Sequence, residues 1–283
     1  MLYINETFHK ELQRNQSNDK NHPYTVYKRT IFTFSDCAYI IYDFKDGIEE
    51  SRKDLPQFFD IALRNTAPLF VEFLKKGFIC RGGIAYGEVY YETERSLFFG
   101  PAINCAHYYE NKIAKFPRII MDKEIATKVI ALNEDRINHA PDTFHAKLTK
   151  YVNGDIVLKD DDGQYYLNYL NTCSHGINYS DCIAIYELWE KLLLNENVKQ
   201  TDEIARLMKK LHQCPDKKIQ EEYNYKISRC YNILEKYQWL ANYLQHSYPA
   251  DEYLGTAPQP RKMGFGVKIN GNMGKYPPIA TYS

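Results

Sequence analysis

Three segments of this sequence set reactive side chains beside glycines or turn formers. FSDCAYII, residues 34–41, puts the carboxylate of Asp36 at a tight turn. RGGIAYG, residues 81–87, puts Arg81 at the head of a strand-like run interrupted by three glycines. FGPAINCAHYYENKIAKFPRIIMD, residues 99–122, is a Gly-led helix followed by a strand, and it carries Asn104, Tyr108 and Glu110. A carboxylate at a loop tip can hold a divalent cation. An arginine can meet a phosphate oxyanion. Glycine inside a strand marks a bulge or a close approach to the backbone. Each segment alone also has an ordinary reading. Asp36 suits a turn former, Arg81 a surface or pairing residue, and Gly100-Pro101 a helix cap.

The elements that must position these residues can be read from periodicity. Residues 24–44 are rich in β-branched and aromatic side chains and predict two strands joined at Ser35-Asp36-Cys37. Residues 54–76 have apolar residues at helical spacing, with Asp54 as N-cap, Gly77 as the stop and Pro68 as a kink or break. A strand is expected over 78–90 and a short one over 97–99. A helix over 102–115 starts at Pro101, a strand follows over 116–121, and a helix covers 123–132. Residues 151–170 read as a hairpin turning at Asp160 to Gly163. Beyond Asp181, residues 181–194, 201–212 and 219–246 all have helical periodicity. The chain therefore divides into an N-terminal segment (1–23, with a short helix over 6–14), an α+β domain (24–172), a helical extension (173–250) and an irregular Gly/Pro-rich tail (251–283).

Composition narrows the class. The 283 residues carry 36 Lys plus Arg against 36 Asp plus Glu. A net charge of zero argues against a protein that holds nucleic acid by bulk charge. An apolar fraction of 44% is that of a globular protein. No run of about 18 apolar residues spans a membrane, and residues 1–10 lack the pattern of a secretory signal. Seven scattered cysteines without a CxxC pair make a disulfide framework or a cysteine zinc site unexpected. A reduced, cytoplasmic protein is expected.

The order and spacing of the three segments resemble the class III nucleotidyl cyclase catalytic domain. More narrowly, the chain is similar to the bacterial pyrimidine cyclases of the Pycsar anti-phage systems. The shared features are FSD at 34–36, RGGIAYG at 81–87, FGPA at 99–102, Glu110, FPRI at 116–119 and KYQWLANY at 236–243. The resemblance covers roughly residues 24–246. It implies a ferredoxin-like sheet core followed by helices, and conversion of UTP to cyclic UMP, or of CTP to cyclic CMP, as an alarm signal. It further implies Mg²⁺ or Mn²⁺, a head-to-tail homodimer with shared sites, and a separate effector protein that senses the cyclic nucleotide. Nucleic acid and membrane are not among the implied partners. Asp36 matches the metal-binding Asp of the hairpin, Arg81 an arginine supporting phosphate binding, and Asn104 the asparagine that orients the ribose. Tyr108 stands where the wider family carries its transition-state arginine, one helical turn on.

The positions that read a purine edge in related cyclases hold Phe32 and Leu97 here. An apolar pair leaves that edge unpaired, at a cost of about 1–3 kcal/mol. Phe32, Tyr39 and Tyr42 are expected to narrow the pocket toward a single-ring base. One departure stands against the family pattern. Class III cyclases carry a first metal-binding Asp on the first strand, in a pattern such as F-x-D-x-x-G-F. Before Asp36 only Glu6 and Asp19 are acidic, and Tyr3-Ile4-Asn5 lacks the acid. A start codon placed downstream of the true one, a degenerate cyclase and a single-Asp enzyme are the three readings. Loss of the central first strand would leave its two neighbours unpaired. The competing functions are a non-catalytic pseudo-cyclase that binds nucleotide or dimerises, and an α/β protein whose sheet binds RNA. The acidic run Asp160 to Asp162 lacks EF-hand spacing and reads as a solvated turn.

Overall fold

The computed structural model describes residues 26–34, 37–92, 94–95, 97–139, 156–171 and 179–247. Asp36, the segment 1–23, the tail 251–283 and the helix expected over 6–14 lie outside them. The fold is mixed α+β, in two compact units, Met1–Thr172 and Cys173–Ser283.

The first unit opens with an antiparallel hairpin of β1 (Tyr27–Phe34) and β2 (Cys37–Phe44). Directly opposed residues share a face, so the register Phe32↔Tyr39, Ile31↔Ile40 and Arg29↔Tyr42 sorts the hairpin into two faces. Helix α1 (Leu55–Lys75) packs its buried Leu69 and Phe73 against Ile31, with Ala38, Ile40, Phe70 and Cys80 around them. At its other end Phe58 stacks on Phe44 at 4.6 Å. Asp54 caps the helix by accepting a hydrogen bond from the Gln57 amide at 3.0 Å. The helix runs unbroken through Pro68. Pro68 lies on an exposed face, where water can satisfy the freed carbonyl.

The expected long strand over 78–90 is shorter. Strand β3 (Gly82–Ile84) pairs parallel with β6 (Ile119–Met121), and a separate ribbon forms from β4 (Tyr90–Glu92) and β5 (Leu97–Phe99). Helix α2 (Pro101–Tyr108) continues into one π turn, Tyr109–Ile113. Helix α3 (Lys123–His139) follows β6, and β7 (Val157–Lys159) and β8 (Tyr165–Leu167) complete a four-stranded sheet in the order β3-β6-β8-β7. A single ferredoxin-like sheet was expected. Among the described residues the β1–β2 hairpin and the four-stranded sheet are instead separate, and β3 is an edge strand.

Two polar networks fix this unit. Arg118, with no exposed surface, forms ion pairs with Asp160 and Asp162 and lies over the Phe116 ring at 5.2 Å. It ties the start of β6 to the β7–β8 turn, so two acids of the run expected to be solvated are paired. Buried Asp60 on α1 accepts hydrogen bonds from Arg64 at 3.0 Å and from Arg136 of α3 at 2.9 Å. Burying a carboxylate is tolerable because two guanidinium groups share it.

In the second unit the two helices expected over 181–194 and 201–212 are one, α4 (Tyr179–Gln213). It packs on α5 (Lys217–His246) through Ile204, Leu207, Ile227, Cys230 and Leu234. Asp216 caps α5, accepting from the Lys218 amide at 2.8 Å. Trp189 is buried and Trp239 stacks on Tyr243 at 5.2 Å. Five described cysteines are free, while Cys182 is disulfide-bonded. Nothing in the cysteine spacing pointed to that bridge. No helix of the described residues is long and apolar enough to cross a membrane.

Candidate active site

Phe32 and Tyr39 oppose one another on the hairpin face turned away from α1. The β4–β5 ribbon covers that face. Phe98 lies 4.9 Å from the Phe32 ring and 4.7 Å from the Tyr39 ring, and Tyr91 meets Phe32 edge-on at 6.4 Å. The Tyr91 hydroxyl donates to Asp43 at 3.4 Å, and Lys28 reaches the same carboxylate at 3.7 Å. Alternation explains the arrangement. Phe98 points inward from β5, so its neighbours Leu97 and Phe99 point outward, and both are exposed.

Tyr42 does not join Phe32 and Tyr39. Its register with Arg29 places it on the α1 face, where its hydroxyl lies 3.2 Å from the Thr66 hydroxyl and accepts from Arg29 at 3.3 Å. Burial is the main reason its phenol titrates above the usual range. Leu97 likewise stands apart, since its side chain leaves the ribbon on the side opposite Phe98.

Arg81 and the α2 helix meet across β3. Gly83 lets the helix lie on the strand, because a Cβ there would stand 2.1 Å from the Ala106 carbonyl oxygen. Gly100, with φ of 145°, is in a conformation that L side chains rarely adopt, and a Cβ there would meet the Glu88 carbonyl at 2.5 Å. The glycines of RGGIAYG and FGPA thus seat α2 at both of its flanks. Asn104 and Tyr108, one turn apart, are exposed on the helix surface. The Tyr109 hydroxyl donates to Asp122 at 3.1 Å. Asp122 also accepts from the Glu124 amide at 2.8 Å and so caps α3.

Arg81 Nε lies 2.6 Å from Glu110 Oε1. Tyr39 is close enough for its phenol to be raised by burial first, then by Cys37 and Glu110. The structure thus brings Phe32, Tyr39 and Phe98 together on one hairpin face, and pairs Arg81 with Glu110 beside β3. Phe98 and Tyr91 escaped the sequence reading; the alternation of Leu97, Phe98 and Phe99 was the available signal. As for a metal, Asp36 lies outside the described residues, and among those described no group of three or more His, Cys, Asp or Glu is placed to hold one.

No family model matches the chain, and no match is found among curated proteins or among solved structures.

Proposed function

We propose that the chain is a pyrimidine nucleotide cyclase of class III type, converting UTP to 3′,5′-cyclic UMP as an anti-phage signal. The ribose 3′-oxygen attacks the α-phosphorus, losing its proton. The bond from that phosphorus to the β-phosphate oxygen breaks, and pyrophosphate leaves. The observation that supports this reading is the aromatic enclosure of Phe32 and Tyr39 by Phe98, together with the seating of the FGPA helix on Gly83 of RGGIAYG. Glu110 pairs with Arg81, and Phe98 closes over Phe32 and Tyr39. Arg81 supplies a cation for phosphate, and Asn104 orients the ribose. The aromatic enclosure suits a single-ring base, with CTP as the alternative substrate. A requirement for Mg²⁺ or Mn²⁺ at Asp36 belongs to the same proposal, as do a cytoplasmic setting and a separate effector that senses the product.

A homodimer with shared sites is part of this reading. Asn104 and Tyr108 face solvent, and the same unit exposes Tyr86, Tyr90, Leu97 and Phe99. Exposed aromatic groups of this kind favour a partner surface.

The test is incubation of the purified protein with each of the four nucleoside triphosphates and Mn²⁺, with products separated by mass. Cyclic UMP or cyclic CMP that disappears in Asp36→Ala is the expected result. Cyclisation of ATP or GTP alongside UTP would overturn the base assignment. Absence of any product would leave a nucleotide-binding or dimerising module in its place.

A further inference from the structure

We propose that α4 is a self-docking surface, through which two copies of this chain pair in antiparallel order about a two-fold axis near Thr201 and Ala205. Leu194, Val198, Thr201, Ala205 and Met208 follow one another at alternating steps of four and three residues. All five are exposed. That is the spacing of a coiled-coil seam. Leu194 is 54% exposed and Val198 53%. Ile204 and Leu207, further round the helix, are already buried against α5, so the stripe is not part of that packing. A single exposed apolar residue is ordinary. Large ones aligned along about four helical turns mark a surface that a partner covers.

The distribution of charge points to the partner. Residues 181–203 carry six Asp or Glu against two Lys. Residues 206–229, the end of α4 and the start of α5, carry seven Lys or Arg against three acids. One half of α4 is therefore acidic, and the other half runs into a basic hairpin tip. A second copy in parallel order would set like charge on like. In antiparallel order the acidic half of each α4 lies along the basic half of the other, and Leu194 of each copy comes toward Met208 of the other. Such a contact uses the same patch on both copies and closes with two-fold symmetry. The small side chains of Thr201 and Ala205 let the two helices approach at the crossing, and two α4–α5 hairpins joined in this way make a four-helix bundle. The contact belongs to the second unit and does not rest on the cyclase reading.

The test is sedimentation of the full chain, followed by native mass spectrometry of mixtures in which one protein is isotope-labelled. Two charge-reversed variants are compared with the wild type: Glu196→Lys/Asp202→Lys and Lys209→Glu/Lys210→Glu. Each alone sets like charges across the contact and should self-associate about tenfold more weakly or worse, with an unmoved thermal midpoint. Mixed in equal amounts, the two become complementary, and mixed pairs should make up nearly all of the assembly. That preference should fade at about 1 M NaCl. Leu194→Ser/Val198→Ser should weaken association of the otherwise unaltered chain to a similar degree. A dimer built only on a shared active site would exchange at random, giving about half mixed pairs by mass action. Mixed pairs at or below that fraction, or a wild type that does not self-associate, would overturn the α4 contact. Failure of the cyclase reading shows separately, as absence of cyclic product, and leaves this contact untouched.

Discussion

Gly83 and Ala106 are in such close contact that a Cβ on the glycine would stand 2.1 Å from the alanine carbonyl oxygen. The obstacle is helix backbone, which cannot swing aside. Gly82, one residue earlier, would meet only side-chain methyl groups of Ile119, at 3.4 Å, an ordinary van der Waals contact. Gly83→Ala should therefore lose about 3 kcal/mol or more of stability, and Gly82→Ala less than about 1 kcal/mol. Urea denaturation of the two variants separates them. Equal losses would mean that α2 is not seated on β3 at this residue.

Arg118 makes a second strong demand. Its guanidinium is fully buried between Asp160, Asp162 and Phe116. Arg118→Ala empties a fully buried site beside two carboxylates that reach solvent, at a cost of about 2–5 kcal/mol. Arg118→Met keeps most of the volume and should cost less than Arg118→Ala. If both variants unfold at the wild-type urea concentration, the clamp contributes nothing.

The same clamp sets a pH dependence. Hydrogen bonding from Arg118 holds the Asp162 carboxyl below its ordinary value of 3.8. A carboxyl depressed in the folded state stabilises the fold above its unfolded pKa. That contribution is lost as pH falls through the lower folded pKa. Stability should thus decline as the medium is acidified below about pH 4, and Asp162→Asn should decline less steeply. Denaturation midpoints at about pH 5 and about pH 3 decide the matter, and parallel slopes for the two proteins would refute it.

Much of this arrangement was legible in the residues, and the failures have physical causes. Enrichment in β-branched and aromatic residues located the hairpin strands, and the glycines of RGGIAYG marked a bulge or a close approach to the backbone, which proves to be that of α2. The Asp54 cap marked the start of α1. Pro68 misled because an exposed helix face lets water replace the missing hydrogen bond. The polar stretch after Leu194 suggested a break in α4, yet Asn195 to Gln200 stay helical. There Glu196 holds Lys199 at 2.9 Å and Gln200 at 3.0 Å. Tyr42 was grouped with Phe32 and Tyr39 by aromatic type, although strand register sends it to the other face. The pairing of Arg118 with Asp160 and Asp162 joins residues more than 40 positions apart, and no local pattern encodes such a contact.

The division of the hairpin into two faces separates stability from base choice. Tyr42→Phe removes a hydroxyl that meets Arg29 and Thr66 on the α1 side. It should cost about 1 kcal/mol of stability and leave nucleotide preference unchanged. Phe98 lies on the other side, within 4.9 Å of Phe32 and 4.7 Å of Tyr39. Phe98→Ala opens the cover over both rings, so a double-ring base should gain relative to a single-ring one. The measure is the ratio of GTP to UTP binding, and about a tenfold rise is expected. If Tyr42→Phe moves that ratio and Phe98→Ala does not, base selection lies on the α1 face and the aromatic enclosure serves only packing.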